Sequence, residues 1–285
     1  MTLPPFELHR PESLEEATEL ATRYGEDAAF YCGGTELLLL LKLGFASFGH
    51  LIDLKRIGEL RGVRAENGTL VVGAAATHRE LELSAVVHER LPALARMERD
   101  VANIRVREVG TLGGNLCFSD PHSDPATFLL AVDAEVECRR GGEEARRVPV
   151  SEFVVGPYQT SLGEGELLTA VHVPALPPGT AVAHAKFSFQ ERPTATVACL
   201  ARVVDGVLEE ARVAVGSVGA RPVRSGAAEA ALTRTPVDEL DGLLSTAGER
   251  AAEDAAPVDD ATGSAEYKAQ LVKVLVERTF REALA

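Results

Sequence analysis

No run of eighteen or more apolar residues occurs in this chain, and Leu37 to Leu41 is among its longest. No segment is therefore long enough to cross a bilayer as a helix. The start, Met1-Thr2-Leu3-Pro4-Pro5, lacks the basic residues and apolar stretch of a secretory signal, so a cytoplasmic location is the expectation. Positive charge is scarce: 29 Lys and Arg stand against 43 Asp and Glu, for a formal net charge of −14. That argues against nucleic acid, whose phosphates need a basic face. Cysteine is scarce too. Cys32, Cys117, Cys138 and Cys199 form no C-x-x-C pair, and their spacing suits neither zinc nor an iron–sulfur cluster. In a reducing compartment they read as small packing residues. No two of the seven histidines show H-x-x-x-H spacing; His78, His122 and His172 read as loop or strand positions, with a cofactor contact open for His122, and no metal is expected. Neither G-x-G-x-x-G nor G-x-x-x-x-G-K-[ST] is present, which removes the Rossmann fingerprint and the P-loop. No Ser–His–Asp or Cys–His set can be argued from residue order. There is no internal repeat.

What remains is a globular composition, 285 residues that are 46% hydrophobic and 25% charged, enough for one large domain or two to three ordinary ones. Ser13 followed by Glu16 predicts a capping box, with a helix to Tyr24 ended by Gly25. Ala28 to Cys32 reads as a strand, Glu36 to Lys42 as a short helix and Leu51 to Leu54 as a further strand. Thr69 to Ala75 reads as a strand after the Asn67-Gly68 turn. Thr77 caps a helix from His78, and Leu91 to Val101 reads as helical with Pro92 at its start. Asp124 and Pro125 open a helix through Val132, Ala134 to Arg139 is a strand, and Gly141 to Arg147 a charged turn. Prolines gather between Pro174 and Pro178, which marks a domain boundary. Beyond it, Thr196 to Val204 and Val207 to Val218 flank Asp205-Gly206 as a hairpin. Helices are expected over Ala227–Leu232, Val237–Ala252 and Ala265–Leu284, and a mobile surface loop over Glu249–Gly263. Strands followed by helices predict an α+β C-terminal domain.

Two glycine clusters dominate. Cys32-Gly33-Gly34-Thr35-Glu36 sits between two apolar runs, and Gly110-Thr111-Leu112-Gly113-Gly114-Asn115 follows later. Paired glycines let the main chain turn tightly and approach a ligand closely, because no Cβ intervenes. Both clusters read as turns offering N–H donors to one elongated anion, as an acidic protein requires. Thr35 is placed to cap the helix after it. Asp124 can accept hydrogen bonds from ligand hydroxyls or cap its own helix.

The string Arg107-Glu108-Val109-Gly110-Thr111-Leu112-Gly113-Gly114-Asn115-Leu116 resembles the second flavin-binding motif of the molybdenum hydroxylase family, more narrowly the FAD-binding medium subunit of carbon monoxide dehydrogenase-like enzymes. Tyr31 to Leu37 is similar to the first motif, with Cys32 where Ala is usual. Phe153 to Thr160 and Glu166-Leu167-Leu168 also resemble the family, and the likeness runs through nearly the whole chain.

The resemblance implies an α+β fold: a two-subdomain FAD-binding domain of the vanillyl-alcohol oxidase type at 1–175 (subdomains about 1–55 and 56–175), then an α+β C-terminal domain at 179–285. It implies FAD held by Phe30, Tyr31, Cys32, Gly33, Gly34, Thr35, Glu36 and Leu37, by Thr111, Gly113, Gly114 and Asn115, and by Asp124. Val101, Leu168 and Lys186 match positions lining the flavin or adenine site, and a Lys beside the flavin would stabilise its reduced anion. The job implied is electron transfer. A large molybdopterin-binding subunit oxidises substrate, a small subunit carries two [2Fe–2S] clusters, and FAD passes the electrons to an external acceptor, in a dimer of heterotrimers. Two other readings stay open: a free-standing FAD oxidoreductase acting on a small molecule, and a scaffold that has lost FAD.

Overall fold

A computed structural model describes residues 2–285. The N-terminal unit is a three-stranded parallel sheet with His50–Asp53 between Glu7–His9 and Ala28–Tyr31. Parallel strands need crossovers, and the helix Leu14–Tyr24 supplies the one from Glu7–His9 to Ala28–Tyr31, the two outer strands. The Ser13 hydroxyl accepts from the Glu16 amide, while the Glu16 carboxylate accepts from the Glu12 amide instead of Ser13, so the expected capping box is displaced by one residue. Leu14 and Ala17 turn inward and Gly25 (φ 52°) ends the helix. The strand Ala28–Tyr31 then runs into the first glycine cluster, and the helix Leu37–Leu43 follows it.

The second unit is a five-stranded antiparallel sheet in the order Val63–Glu66, Thr69–Gly73, Leu167–Val173, Glu135–Arg139, Arg146–Pro149. Its middle strand, Leu167–Val173, is buried along its whole length. After Thr69–Gly73 the chain leaves the sheet for a run of short helices and returns at Glu135–Arg139. Thr77 opens the first of these with a complete capping box to Glu80, and Pro92 stands at the start of Pro92–Asp100. The last, Asp124–Ala131, is buried on every side.

The C-terminal unit places Thr180–Phe187, Ala195–Val204, Val207–Gly216 and Val223–Arg224 in one antiparallel sheet, followed by the helices Gly226–Leu232, Asp241–Ala255 and Ala265–Leu284. Asp205 and Gly206 both take positive φ, the two-residue turn that suits the twist of a hairpin. Side-chain alternation along Ala195–Val204 explains how this unit joins the rest. Val197, Cys199 and Ala201 belong to the core shared with the C-terminal helices, whereas Ala198 and Leu200 belong to the core of the first two units. The sheet is thus covered on both faces, on one by the fully buried helix Asp124–Ala131.

Several sequence expectations shift. The second glycine cluster is not a turn: Leu112–Phe118 is a helix with Gly113 and Gly114 in its first turn and Thr111 as its cap. Thr35 makes no capping hydrogen bond, because Glu36 holds the cap position of Leu37–Leu43. Ser123, not Asp124, caps Asp124–Ala131. Glu249 to Ala255 is helical and not a mobile loop. Ala247, Gly248, Ala251, Ala252 and Ala255 form a small-residue stripe in Asp241–Ala255, and a methyl at Gly248 would stand 2.9 Å from the Lys273 carbonyl oxygen of the facing helix. An Ala/Glu-rich composition read as polar loop therefore builds a tight helix–helix contact. Val237–Glu239 is a separate 3₁₀ turn, and the charged turn at Gly141 gives way to the strand Arg146–Pro149.

A Cβ on Gly216 would overlap Thr127 Oγ1 and stand 3.1 Å from Thr196 Cγ2. Gly216→Ala is expected to push the strand off the buried helix and cost about 1–3 kcal/mol, the range for overpacking, read as a lowered urea midpoint with an unchanged slope.

Candidate functional site

The two glycine clusters meet. A Cβ on Gly33 would overlap the Val109 carbonyl oxygen and stand 2.7 Å from Gly110 Cα. Only glycine lets the loop after Ala28–Tyr31 lie against the residues that lead into Leu112–Phe118. Gly34 is constrained twice: its φ is 71°, and a Cβ there would overlap the Tyr31 ring. Tyr31 is thus a brace beneath the loop, outside the cavity lining. Lys55 completes the brace. Its ammonium lies 3.7 Å from the Tyr31 ring centroid, 2.8 Å from Asp53 and 3.1 Å from the Cys32 carbonyl oxygen. Burial raises the pKa of the Cys32 thiol, although its hydrogen bond to Thr111 and the Lys55 charge pull the other way.

The clusters contribute differently. The amides of Gly33, Gly34, Thr35, Glu36 and Leu37 find no acceptor among the described residues. In the second cluster most of the amides are spent internally. Leu112 donates to Ala76 O (3.0 Å), Gly113 to Ala74 O (3.0 Å) and Gly114 to Thr111 Oγ1 (3.1 Å). The free amide donors therefore concentrate on the first cluster, as a row of loop amides. The second offers bare glycine surface and two side chains. The Thr111 hydroxyl accepts from the Gly114 amide and bonds the Cys32 thiol, and Asn115, whose Oδ1 accepts from the Ser123 hydroxyl at 2.6 Å, keeps its NH₂.

Both clusters open on one cavity of about 360 Å³. Of the residues singled out from sequence, Phe30, Cys32 to Leu37, Val101, Thr111, Gly113, Gly114, Asn115, Asp124 and Leu168 line it. Lys186 does not. It lies behind Asp124, its Nζ 2.8 Å from Asp124 Oδ2 and bonded to the Asp100 carbonyl, on the wall of a second cavity with His184, Arg96 and Arg99. Asp124 is buried and its Oδ1 has no hydrogen bond. Burial raises its pKa and the Lys186 charge works against that. His184, 3.7 Å from Asp124 Oδ1, is pushed down to about 3 by burial and by Lys186, and its Nε2 meets Thr196 Oγ1 at 2.7 Å as a neutral ring.

The structure adds groups that the motifs did not reveal. Arg192, on the loop between Thr180–Phe187 and Ala195–Val204, sits 3.2 Å from Glu36 Oε2 and 3.0 Å from Asp120 Oδ2, clasping the C-terminal unit across the cavity rim. His122 lines the cavity, its Nδ1 2.8 Å from the Pro193 carbonyl oxygen and its Nε2 3.6 Å from Asp260. His78 lines it too, with Nδ1 2.6 Å from the fully buried Glu98 carboxylate. These pairs join residues far apart in the chain, so no local string signals them. The only sequence hint was the position of His122 between Asn115 and Asp124. His172 pairs with Glu137 in the second sheet at 3.1 Å, outside the cavity lining.

With this geometry in view, the comparisons with known proteins are specific. Residues 4–176 match the family described as FAD binding domain in molybdopterin dehydrogenase, and residues 182–283 match the CO dehydrogenase flavoprotein C-terminal domain. The chain is 34% identical to the carbon monoxide dehydrogenase medium chain of Hydrogenophaga pseudoflava over 100% of this chain and 99% of that one. It is 31% identical to the xanthine dehydrogenase FAD-binding subunit of Escherichia coli O157:H7, covering 97% and 95%. A solved structure of carbon monoxide dehydrogenase from Hydrogenophaga pseudoflava superposes with a TM-score of 0.95 at 36% identity, covering 100% of this chain and 99% of that chain.

Removing Lys186 leaves the buried Asp124 carboxylate unpaired. Lys186→Met is expected to cost about 3–5 kcal/mol near neutral pH, the usual result of breaking a buried pair. The sign with pH follows from the raised folded-state pKa of Asp124. The folded protein favours the protonated carboxyl, so the loss is least below the unfolded value of about 3.9 and grows as pH rises through the folded value. Urea titrations of both proteins from acid to neutral pH check this; a loss that is constant with pH would contradict it.

Proposed function

This chain belongs to the family of FAD-binding medium subunits of molybdenum hydroxylases, and on that premise we propose that it is the electron-transfer subunit of such an enzyme. In this reading it takes electrons from the [2Fe–2S] clusters of a small partner subunit, beside a large molybdopterin-binding subunit, and delivers them through FAD to an external acceptor. Bound FAD supplies a carrier that accepts electrons singly and releases them singly or in pairs.

The observation that carries the reading is the row of unpaired amides from Gly33 to Leu37, facing a cavity that also exposes the Thr111 hydroxyl and the Asn115 carboxamide. A protein of net charge −14 can hold a diphosphate only with local donors, and these neutral ones fit that need. The glycines fit as well: side chains at Gly33 or Gly34 would fill space already taken by Val109 and Tyr31. Phe30, Val101, Leu37 and Leu168 supply apolar walls. Asp124 stands in the cavity wall with its carboxylate turned back towards Lys186 and His184, so its place in this reading is to fix the charge behind the cofactor site, with Lys186 held there instead of touching the ring itself. Cys32, Glu36, Gly113 and Gly114 shape the groove between the two clusters. We assign 1–175 as the FAD-binding domain, divided near residue 55, and 179–285 as the C-terminal domain, in a dimer of heterotrimers.

The test is direct. The purified chain should carry the visible absorbance of oxidised flavin, and adding the dithionite-reduced, desalted [2Fe–2S] partner subunit should bleach it. A chain that turns over a small molecule without partners would overturn the electron-transfer reading. Gly33→Ala should strain the contact between the clusters by about 1–3 kcal/mol, weakening FAD binding by about 5- to 150-fold in a fluorescence titration of the apoprotein while thermal unfolding stays cooperative.

A further inference from the structure

Three donor side chains gather on the N-terminal sheet, and none of them lines the cavity or has a part in the function proposed above. Glu7 and His9 alternate along the edge strand Glu7–His9, so they share one face. His50 opens the central strand and is the register partner of Glu7. The parallel pairing thus brings together residues that the sequence separates, and His9 Nε2 lies 3.0 Å from His50 Nδ1. The Glu7 carboxylate reaches within 3.9 Å of His9 Nδ1 and 3.7 Å of His50 Nδ1. One ligand atom from each residue falls within 4.8 Å of the others. The imidazoles are half-buried, and the Tyr24 ring stacks on His50 at 3.6 Å and on His9 at 5.0 Å, fixing both planes.

Two imidazole nitrogens this close either share one proton or share one cation. Tetrahedral zinc with Zn–N of about 2.0–2.1 Å holds its nitrogens about 3.4 Å apart, close to the separation already present. The donor set decides the class of ion. Calcium and magnesium take oxygen ligands, whereas two imidazoles and a carboxylate suit zinc and the late first-row divalent metals. A sequence search for short His spacings misses the set, because the two histidines are 41 residues apart.

We propose that Glu7, His9 and His50 form a zinc-binding site, with water in the fourth position, that clamps the edge strand Glu7–His9 to His50–Asp53. The clamp has a structural rationale. The edge strand is three residues long, so its ladder alone holds it weakly. Binding displaces the proton between the rings, and both imidazoles coordinate as neutral ligands.

The experiment uses the full chain with its flavin, stripped of metal by chelator. Zn²⁺ is titrated calorimetrically, and Co²⁺ serves as a visible probe of tetrahedral nitrogen coordination. One ion per chain is expected, with a rise in melting temperature. His9→Gln and His50→Gln should each weaken binding by about 100-fold or more, exceeding the 10–100-fold typical of losing an outer-shell partner, and should abolish the Co²⁺ band. Glu7→Gln should weaken binding by roughly tenfold. His88→Ala, at an exposed helix position, should bind as the parent does. Unchanged flavin absorbance in each variant shows that it is folded. Zinc bound equally well by the His9→Gln/His50→Gln double variant, or not bound by the parent, overturns the proposal.

Discussion

The contact of Gly33 with Val109 and Gly110 is the constraint on which the site depends. It joins a loop of the parallel N-terminal sheet to the helical excursion of the antiparallel second sheet, with no side chain between them. Main-chain contacts of this kind fix a distance more rigidly than interdigitated side chains, because no rotamer can adjust. The brace beneath it, Tyr31 with Lys55 and Asp53, holds the loop from the other side. The amides of Gly33 to Leu37 remain unpaired as a consequence: the loop is held by packing, so its donors are not used up in holding it.

Charge accounts for the form of the cradle. Cationic side chains near the cavity are already committed. Lys55 serves Asp53 and the Cys32 carbonyl, Lys186 serves Asp124, and Arg192 serves Glu36 and Asp120. The donors left free at the cavity are thus neutral main-chain amides. These cost little to desolvate compared with a buried ammonium, and they need no counter-charge when the ligand is absent.

The order of elements was legible in the sequence wherever periodicity and capping agreed, as in Leu14–Tyr24, the Thr77-capped helix His78–Leu83, and the Asp205-Gly206 hairpin. The glycine strings were visible too, but their unlike hydrogen bonding was not. Whether the Gly113 amide is free depends on Ala74, which reaches it only when the second sheet forms. The stretch from Glu249 misled because alanine reads as small and polar-flanked in sequence, while in space it makes the narrow face that a second helix needs. Arg192 and Glu36 are 156 residues apart, and His78 and Glu98 meet between separate helices. No local pattern encodes such pairs; they are products of topology.

The C-terminal unit is more than an appendage to this site. Lys186 reaches Asp124 from the edge strand of its sheet, and Arg192 and Pro193 reach the cavity rim from the loop that follows. Between them runs the fully buried helix Asp124–Ala131, pressed against Gly216. A displacement of the sheet would therefore move the cation behind Asp124 and the clasp on Glu36 together. The alternation along Ala195–Val204, which sends Ala198 and Leu200 into one core and Val197 and Cys199 into the other, is what makes the sheet rigid with respect to both. The position of a buried charge at the cavity wall is thus set by an ordinary period-two pattern in a strand that never touches the cavity.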